Sequence, residues 1–115
     1  MERIHDIAAV QKVLESFAKQ DVYLHLETTN GAYASHINEK VMTVGAFIRN
    51  ARIQFERGAI AGDDPYRIGL KMEQGWVYAQ GITHWEQDEK GRLLLGGHND
   101  KGQLAIAFQL SKTPF

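Results

Sequence analysis

The stretch that decides the fold is His25-Leu-Glu-Thr-Thr-Asn-Gly-Ala-Tyr-Ala-Ser-His36. Asn30-Gly31 supplies the two positive-φ positions that a type I′ hairpin turn requires. The flanking runs, Val22 to Thr28 and Ala32 to Ile37, are β-rich,. With a two-residue loop, Thr29 faces Ala32, Glu27 faces Ala34 and His25 faces His36. Side chains alternate across a strand, so His25, Glu27 and His36 then share one face. Leu24, Leu26 and Ile37 turn to the core. A four-residue loop, Thr28 to Gly31, keeps that common face, whereas an odd loop reverses His36.

The rest of the chain repeats this pattern of short strands and turns. Val41 to Ile48 reads as a strand with Gly45 as a bend. Arg52 to Ile60 alternates Ile53 and Phe55 against Arg52, Gln54 and Glu56. Tyr66 to Met72 follows the loop Gly62-Asp63-Asp64-Pro65. Gln74-Gly75 turns the chain into a strand from Trp76 to Glu86, and Asp88-Glu89-Lys90-Gly91 leads into Arg92 to Gly96. Asn99-Asp100-Lys101-Gly102 leads into Gln103 to Leu110, where Leu104, Ile106, Phe108 and Leu110 form an apolar face. Ahead of all this, Asp6 caps a helix from about Ile7 that ends near Gln20. Its stripe is Ile7, Val10, Leu14 and Phe17, broadened by Val13 and Ala18. A helix this short needs a docking surface. It is expected to cover an open end or edge of the sheet and so blunt edge pairing.

A chain of 115 residues is read as one domain, 1–115, able to bury a core of its own,. The formal net charge is −1, which argues against nucleic acid and an anionic membrane as partners. There is no cysteine, so disulfides, thiolate ligands and thiol nucleophiles are excluded. No signal-type apolar run follows the N-terminus, and no segment approaches the ~20 apolar residues of a membrane helix. These features point to a cytoplasmic protein.

Two imidazoles and a carboxylate on one hairpin face are a ligand set for Zn²⁺, Fe²⁺ or Mn²⁺. The same residues on a half-exposed strand are also what a sheet shows to water, and that plainer reading leads. His84-Trp85-Glu86 repeats the His-x-Glu spacing, and inside a barrel His84 and Glu86 would converge with the first pair. His98, in Gly96-Gly97-His98-Asn99-Asp100, reads as part of a turn whose glycines suggest close backbone approach. Arg49 and Arg52, with Arg57 and Arg67, are candidates for bidentate anion binding, set against interleaved acidic residues that favour solvated strands. No His-Glu-x-x-His, Gly-x-Ser-x-Gly or P-loop pattern occurs,.

The string Val22 to Ala34, with Asn50-Ala51 and Gly75-Trp76-Val77-Tyr78-Ala79, resembles the YojF-like family of small bacterial proteins of unknown function. The resemblance implies a mainly β protein with an N-terminal helix. It also implies a neighbourhood, beside a deacetylase of bacillithiol synthesis, but brings no catalytic residues. The combined expectation is mainly β (α+β by content): a distorted β-sandwich or partly closed antiparallel barrel with one N-terminal helix packed on it. Function is read as a non-catalytic accessory or binding protein, homodimeric, with a protein partner or small-molecule ligand and no assured cofactor. The alternative is a metal-dependent enzyme with a His/Glu site on the first hairpin.

Overall fold

A computed structural model of the chain describes residues 1–29 and 45–115. Among these, β1 (Glu2–Arg3) precedes α1 (Ile7–Glu15). Eight strands follow: β2 (Val22–Thr29), β3 (Gly45–Ile53), β4 (Phe55–Gly62), β5 (Tyr66–Met72), β6 (Trp76–Ile82), β7 (His84–Gln87), β8 (Leu93–His98) and β9 (Leu104–Ser111). They form a six-stranded sheet, β1-β7-β8-β9-β2-β3, and a three-stranded sheet, β4-β5-β6. Every pairing is antiparallel. The expected distorted sandwich with one helix is what forms.

The core lies between the sheets. Leu24, Leu93, Leu95, Phe108 and Leu110 from the larger sheet meet Phe55, Ile68, Leu70 and Ile82 from the smaller one, all essentially without solvent contact. Val10, Leu14 and Phe17 close it from the helical side.

The helix does cover an edge. Asp6 caps it, its carboxylate accepting the Ala8 N–H at 3.0 Å. The helix packs along β4, the outer strand of the smaller sheet. There Gln11 acts as a substitute strand. Its Nε2 donates to the Gly58 carbonyl at 2.9 Å, and its Oε1 accepts the Ile60 N–H at 2.9 Å. The exposed groups of a sheet edge are thereby satisfied by one side chain. A Cβ on Gly58 would meet Leu14 and Leu70 carbons at 3.0 Å, so glycine is what lets the helix come this close.

Several expectations are corrected. The helix stops at Glu15, not near Gln20, because Ser16 caps it and the chain turns; Lys19, at φ 62°, then donates its N–H to the Phe55 carbonyl. Phe17 is still buried, but Ile7, in the first turn, is 37% exposed and does not dock. The run Arg52 to Ile60 is two strands, parted at Gln54 where the chain passes from one sheet to the other. The run Trp76 to Glu86 likewise divides at Thr83. Alternation of apolar and polar residues continues through Gln54, so periodicity alone does not reveal that crossing; at Thr83 the chain passes between sheets with no turn residue to mark it.

The last correction concerns β2. It pairs with β3 on one side, Glu27 opposite Phe47 and Thr29 opposite Gly45, and with β9 on the other, His25 opposite Gln109 and Glu27 opposite Ala107. Both edges are therefore taken at Glu27, by Phe47 and Ala107. The Asn30-Gly31 turn and His36 lie outside the described residues.

Candidate functional site

The first candidate pair is on β2. His25 and Glu27 share a face as expected, and they meet: His25 Nε2 lies 3.3 Å from Glu27 Oε2. At this point β3 carries a bulge, with Arg49 and Asn50 opposing the single residue His25. Asn50 adopts φ 53°, a conformation that Asn tolerates better than most residues. Its Oδ1 accepts the N–H of Phe115 at 2.9 Å, and the Phe115 ring stands edge-on to His25 at 6.2 Å. The chain end thus covers one side of the imidazole. Among the described residues no three His, Asp or Glu side chains converge at a metal-binding distance.

The second pair does not join the first. Cross-strand partners run Glu27–Ala107–Gly96–His84 across β2, β9, β8 and β7. Three strand spacings put Glu27 and His84 about 14 Å apart. Glu86 is occupied otherwise, its carboxylate 3.3 Å from the Met1 amino group. The arginine candidates do not form a cradle. Arg49 lies over the Phe47 ring at 6.0 Å, Arg52 is exposed on the same outer strand, and Arg57 and Arg67 belong to the other sheet.

What His84 meets instead is His98. The Nδ1 atoms are 3.1 Å apart, with the rings inclined at 76°. The backbone explains the encounter. At Gly81 the chain takes φ +88° and inserts one extra residue opposite β5, between Gln80 paired with Arg67 and Ile82 paired with Tyr66. Such a bulge bends the strand and reverses its faces, which buries Ile82 and aims the chain at the other sheet. Thr83 completes the crossing, accepting from the Ile4 N–H and donating its own N–H to the Gly96 carbonyl, both at 2.9 Å. Gly97 makes room for it. A Cβ there would fall 1.9 Å from the Gly81 carbonyl oxygen and 2.6 Å from Ile106 Cγ2. The close approach expected of Gly96-Gly97 is therefore real, and it is where the two sheets pinch together.

Around this pinch opens a cleft of about 900 Å³. His84 and His98 line it with Thr83, Arg3, Asp64 and Asn99. Thr83 is buried and organises the pair. Its Oγ1 accepts the His98 N–H at 3.2 Å and lies 2.6 Å from His84 Nδ1. Arg3 is ion-paired with Asp64, its Nε donating at 3.1 Å. Asn99 fixes the following turn by accepting the N–H groups of Lys101 and Gln103. Burial holds the His84 imidazole below its ordinary protonation range; the positive fields of His98, Arg3 and the N-terminal amine add to this, and Asp64 opposes it. The site can accept hydrogen bonds, offer neutral imidazole nitrogen and pair with charge of either sign.

Sequence reading named His84 but took His98 for a plain turn residue and passed over Arg3, Thr83 and Asp64. A signal for His98 existed. The Asp88–Arg92 turn sets Gln87 opposite Leu93 and His84 opposite Gly96, which leaves His98 just beyond the end of β7, beside Thr83.

Comparison with known proteins agrees over the full extent of this fold. The family described as Protein of unknown function (DUF1806) matches residues 4–115. The chain is 53% identical over 106 residues to the Uncharacterized protein YojF of Bacillus subtilis (strain 168), covering 92% of this chain and 91% of that one. The crystal structure of Bacillus subtilis YojF superposes with a TM-score of 0.83 and 42% identity, over 99% of this chain and 95% of that one. With sequence matched from Ile4 to the last residue and the same architecture, the chain belongs to the YojF-like family, DUF1806.

Proposed function

We propose that the protein is a non-catalytic binding protein that holds a small polar ligand in the cleft beside His84 and His98. The observation that carries this is the imidazole pair itself, set in a cleft of about 900 Å³. That volume falls within the ~300–1,000 Å³ usual for ligand sites, and convergent polar groups in such a cleft are what orient a ligand. Among the described residues no helix is long and apolar enough to cross a membrane, which suits a cytoplasmic place of action. Bacillithiol metabolism, the setting implied by the family resemblance, makes its deacetylase the first protein partner to test.

The enzymatic alternative, a metal on His25, Glu27 and His36 with His84 or Glu86 as acid or base, fits less well. A general acid must reach its proton directly or through one water. His84 is about 14 Å from Glu27, and Glu86 faces the N-terminal amine.

Self-association belongs to the same proposal. Trp76 and Tyr78 stack on one another at 5.5 Å on β6, an outer strand, and are 47% and 62% exposed. Exposed stacked aromatics on an edge suit a two-fold contact. Sedimentation equilibrium showing only monomer at tens of micromolar would remove it. The ligand reading is tested by titrating a library of small polar fragments into isotope-labelled protein. Amide shifts clustered on Thr83, His84, His98 and Asn99 support it; shifts clustered on β2 and β3, or none at all, refute it.

A further inference from the structure

Hydrogen bonding leaves the imidazole pair incomplete. His84 Nδ1 has two neighbours, Thr83 Oγ1 at 2.6 Å and His98 Nδ1 at 3.1 Å. A neutral ring nitrogen carries either one proton or one lone pair, never both. Thr83 has a single hydroxyl proton. Its oxygen already accepts the His98 N–H, and its alternative acceptor, the Gly96 carbonyl, is farther away at 3.5 Å. If that proton goes to His84 Nδ1, His98 Nδ1 meets it either as a second donor to an occupied lone pair or lone pair against lone pair. If His84 carries the proton on Nδ1 instead, that one proton is divided between Thr83 Oγ1 and His98 Nδ1. In each case three polar atoms meet over a single proton, and two imidazole nitrogens so placed at the wall of a cleft form a site that a cation can take over.

The spacing agrees. Zn–N bonds are about 2.0–2.1 Å, so two nitrogens on a tetrahedral ion stand about 3.4 Å apart. The observed 3.1 Å is within a few tenths of that. We propose that His84 and His98 bind a borderline divalent cation, with Zn²⁺ as the reference ion, through their Nδ1 atoms at the wall of the cleft. Thr83 releases His84, turns its proton toward the Gly96 carbonyl and continues to accept from the His98 N–H. No third His, Asp or Glu among the described residues completes the set, so the remaining positions face the cleft. An ion held this way is open, as in sites where substrate or water takes the vacant positions, and unlike closed structural sites. The ligand class that follows is a chelating small molecule, one bearing adjacent amine, carboxylate or thiol donors. This deepens the cleft reading and rests on it for that ligand, whereas ion binding by the two histidines stands without it.

The test is calorimetric titration of zinc chloride into chelator-stripped protein near neutral pH. One ion per chain is expected. His84→Gln and His98→Gln should each weaken binding about tenfold or more, and His25→Gln should leave it unchanged. Thermal melts confirm that each variant is folded, and either histidine variant suffices should the other fail to fold. Absence of zinc binding by the wild type, or binding that survives both substitutions, overturns the inference. So does equal loss in His25→Gln, which would place the ion on β2. Zinc bound without fragments entering the cleft supports the ion site and removes the ligand reading. Fragments entering without zinc do the reverse.

Discussion

Two strands carry the same His-x-Glu pattern, and the fold uses them differently. On β2, His25 and Glu27 close on each other at 3.3 Å, with Phe115 against the ring. On β7, His84 and Glu86 part, one to His98 and the cleft, the other to the N-terminal amine. The spacing is identical; the surroundings are not. β2 runs straight between two partners, so its neighbours are fixed by the ladder. β7 starts at a crossing between sheets, where the Gly81 carbonyl packs on the bare backbone of Gly97 and a cleft opens beside that contact. A local motif sets which face two side chains share, and the path of the chain sets what a third group brings.

The most severe way to break this contrast is Gly97→Ala. The new methyl group would collide with the Gly81 carbonyl, a backbone atom that cannot move without shifting β6. We expect a loss of about 3 kcal/mol, at the upper end of overpacking effects, read by denaturant melting. The His25–Glu27 contact on β2 should persist in any folded fraction. A loss under ~0.5 kcal/mol would mean that the two sheets do not pinch there.

A smaller effect separates the two strands by pH. Burial and nearby positive charge lower the His84 protonation range in the folded chain, while the unfolded chain retains the ordinary value of about 6.5. Below that value the unfolded state binds more protons, so stability falls. This contribution is fully present above about pH 6.5 and is lost as pH drops toward the lower folded value. In metal-free protein, melting midpoints should decline on acidification across this window, and less so in His84→Gln. An equal decline in both proteins would assign the pH dependence elsewhere.

The smallest effect is expected on β2. His25→Ala removes a half-exposed contact with a carboxylate, and pairs of that kind are worth about 0–1 kcal/mol. A change within ~0.5 kcal/mol is predicted. A loss of several kcal/mol would mean that the β2 pair is a structural centre after all.

Much of this architecture was legible in the chain. The Asp6 cap, the apolar face of β9 from Ile106 through Phe108 to Leu110 and the turns at Gly75, Gly91 and Gly102 all follow from local chemistry, and those three glycines do take positive φ; Leu104, expected on the same face, lies beyond a register shift and is 42% exposed. The shared face of His25 and Glu27 was legible for the same reason, since alternation is a property of one strand. The partner of β2 was not. Asn30-Gly31 favours pairing with the residues that follow at once, yet β2 lies between β3 and the C-terminal β9, and such choices are made by packing over long sequence separations. The crossing at Gln54 was hidden because alternation runs through it without a break, and the one at Thr83 because no turn residue separates β6 from β7. With them was hidden the meeting of His84 and His98, fourteen positions apart and brought together by one turn and one bulge.

The direct test is to follow all histidine rings of metal-free protein by long-range ¹H–¹⁵N correlation as the pH is lowered. The account predicts that His84 takes up its proton below the ordinary histidine range. The signals of the adjacent His98 ring should shift in the same step. His84 titrating alone at the ordinary value, with the His98 signals unmoved, would contradict the meeting of the two rings on which the candidate site is built.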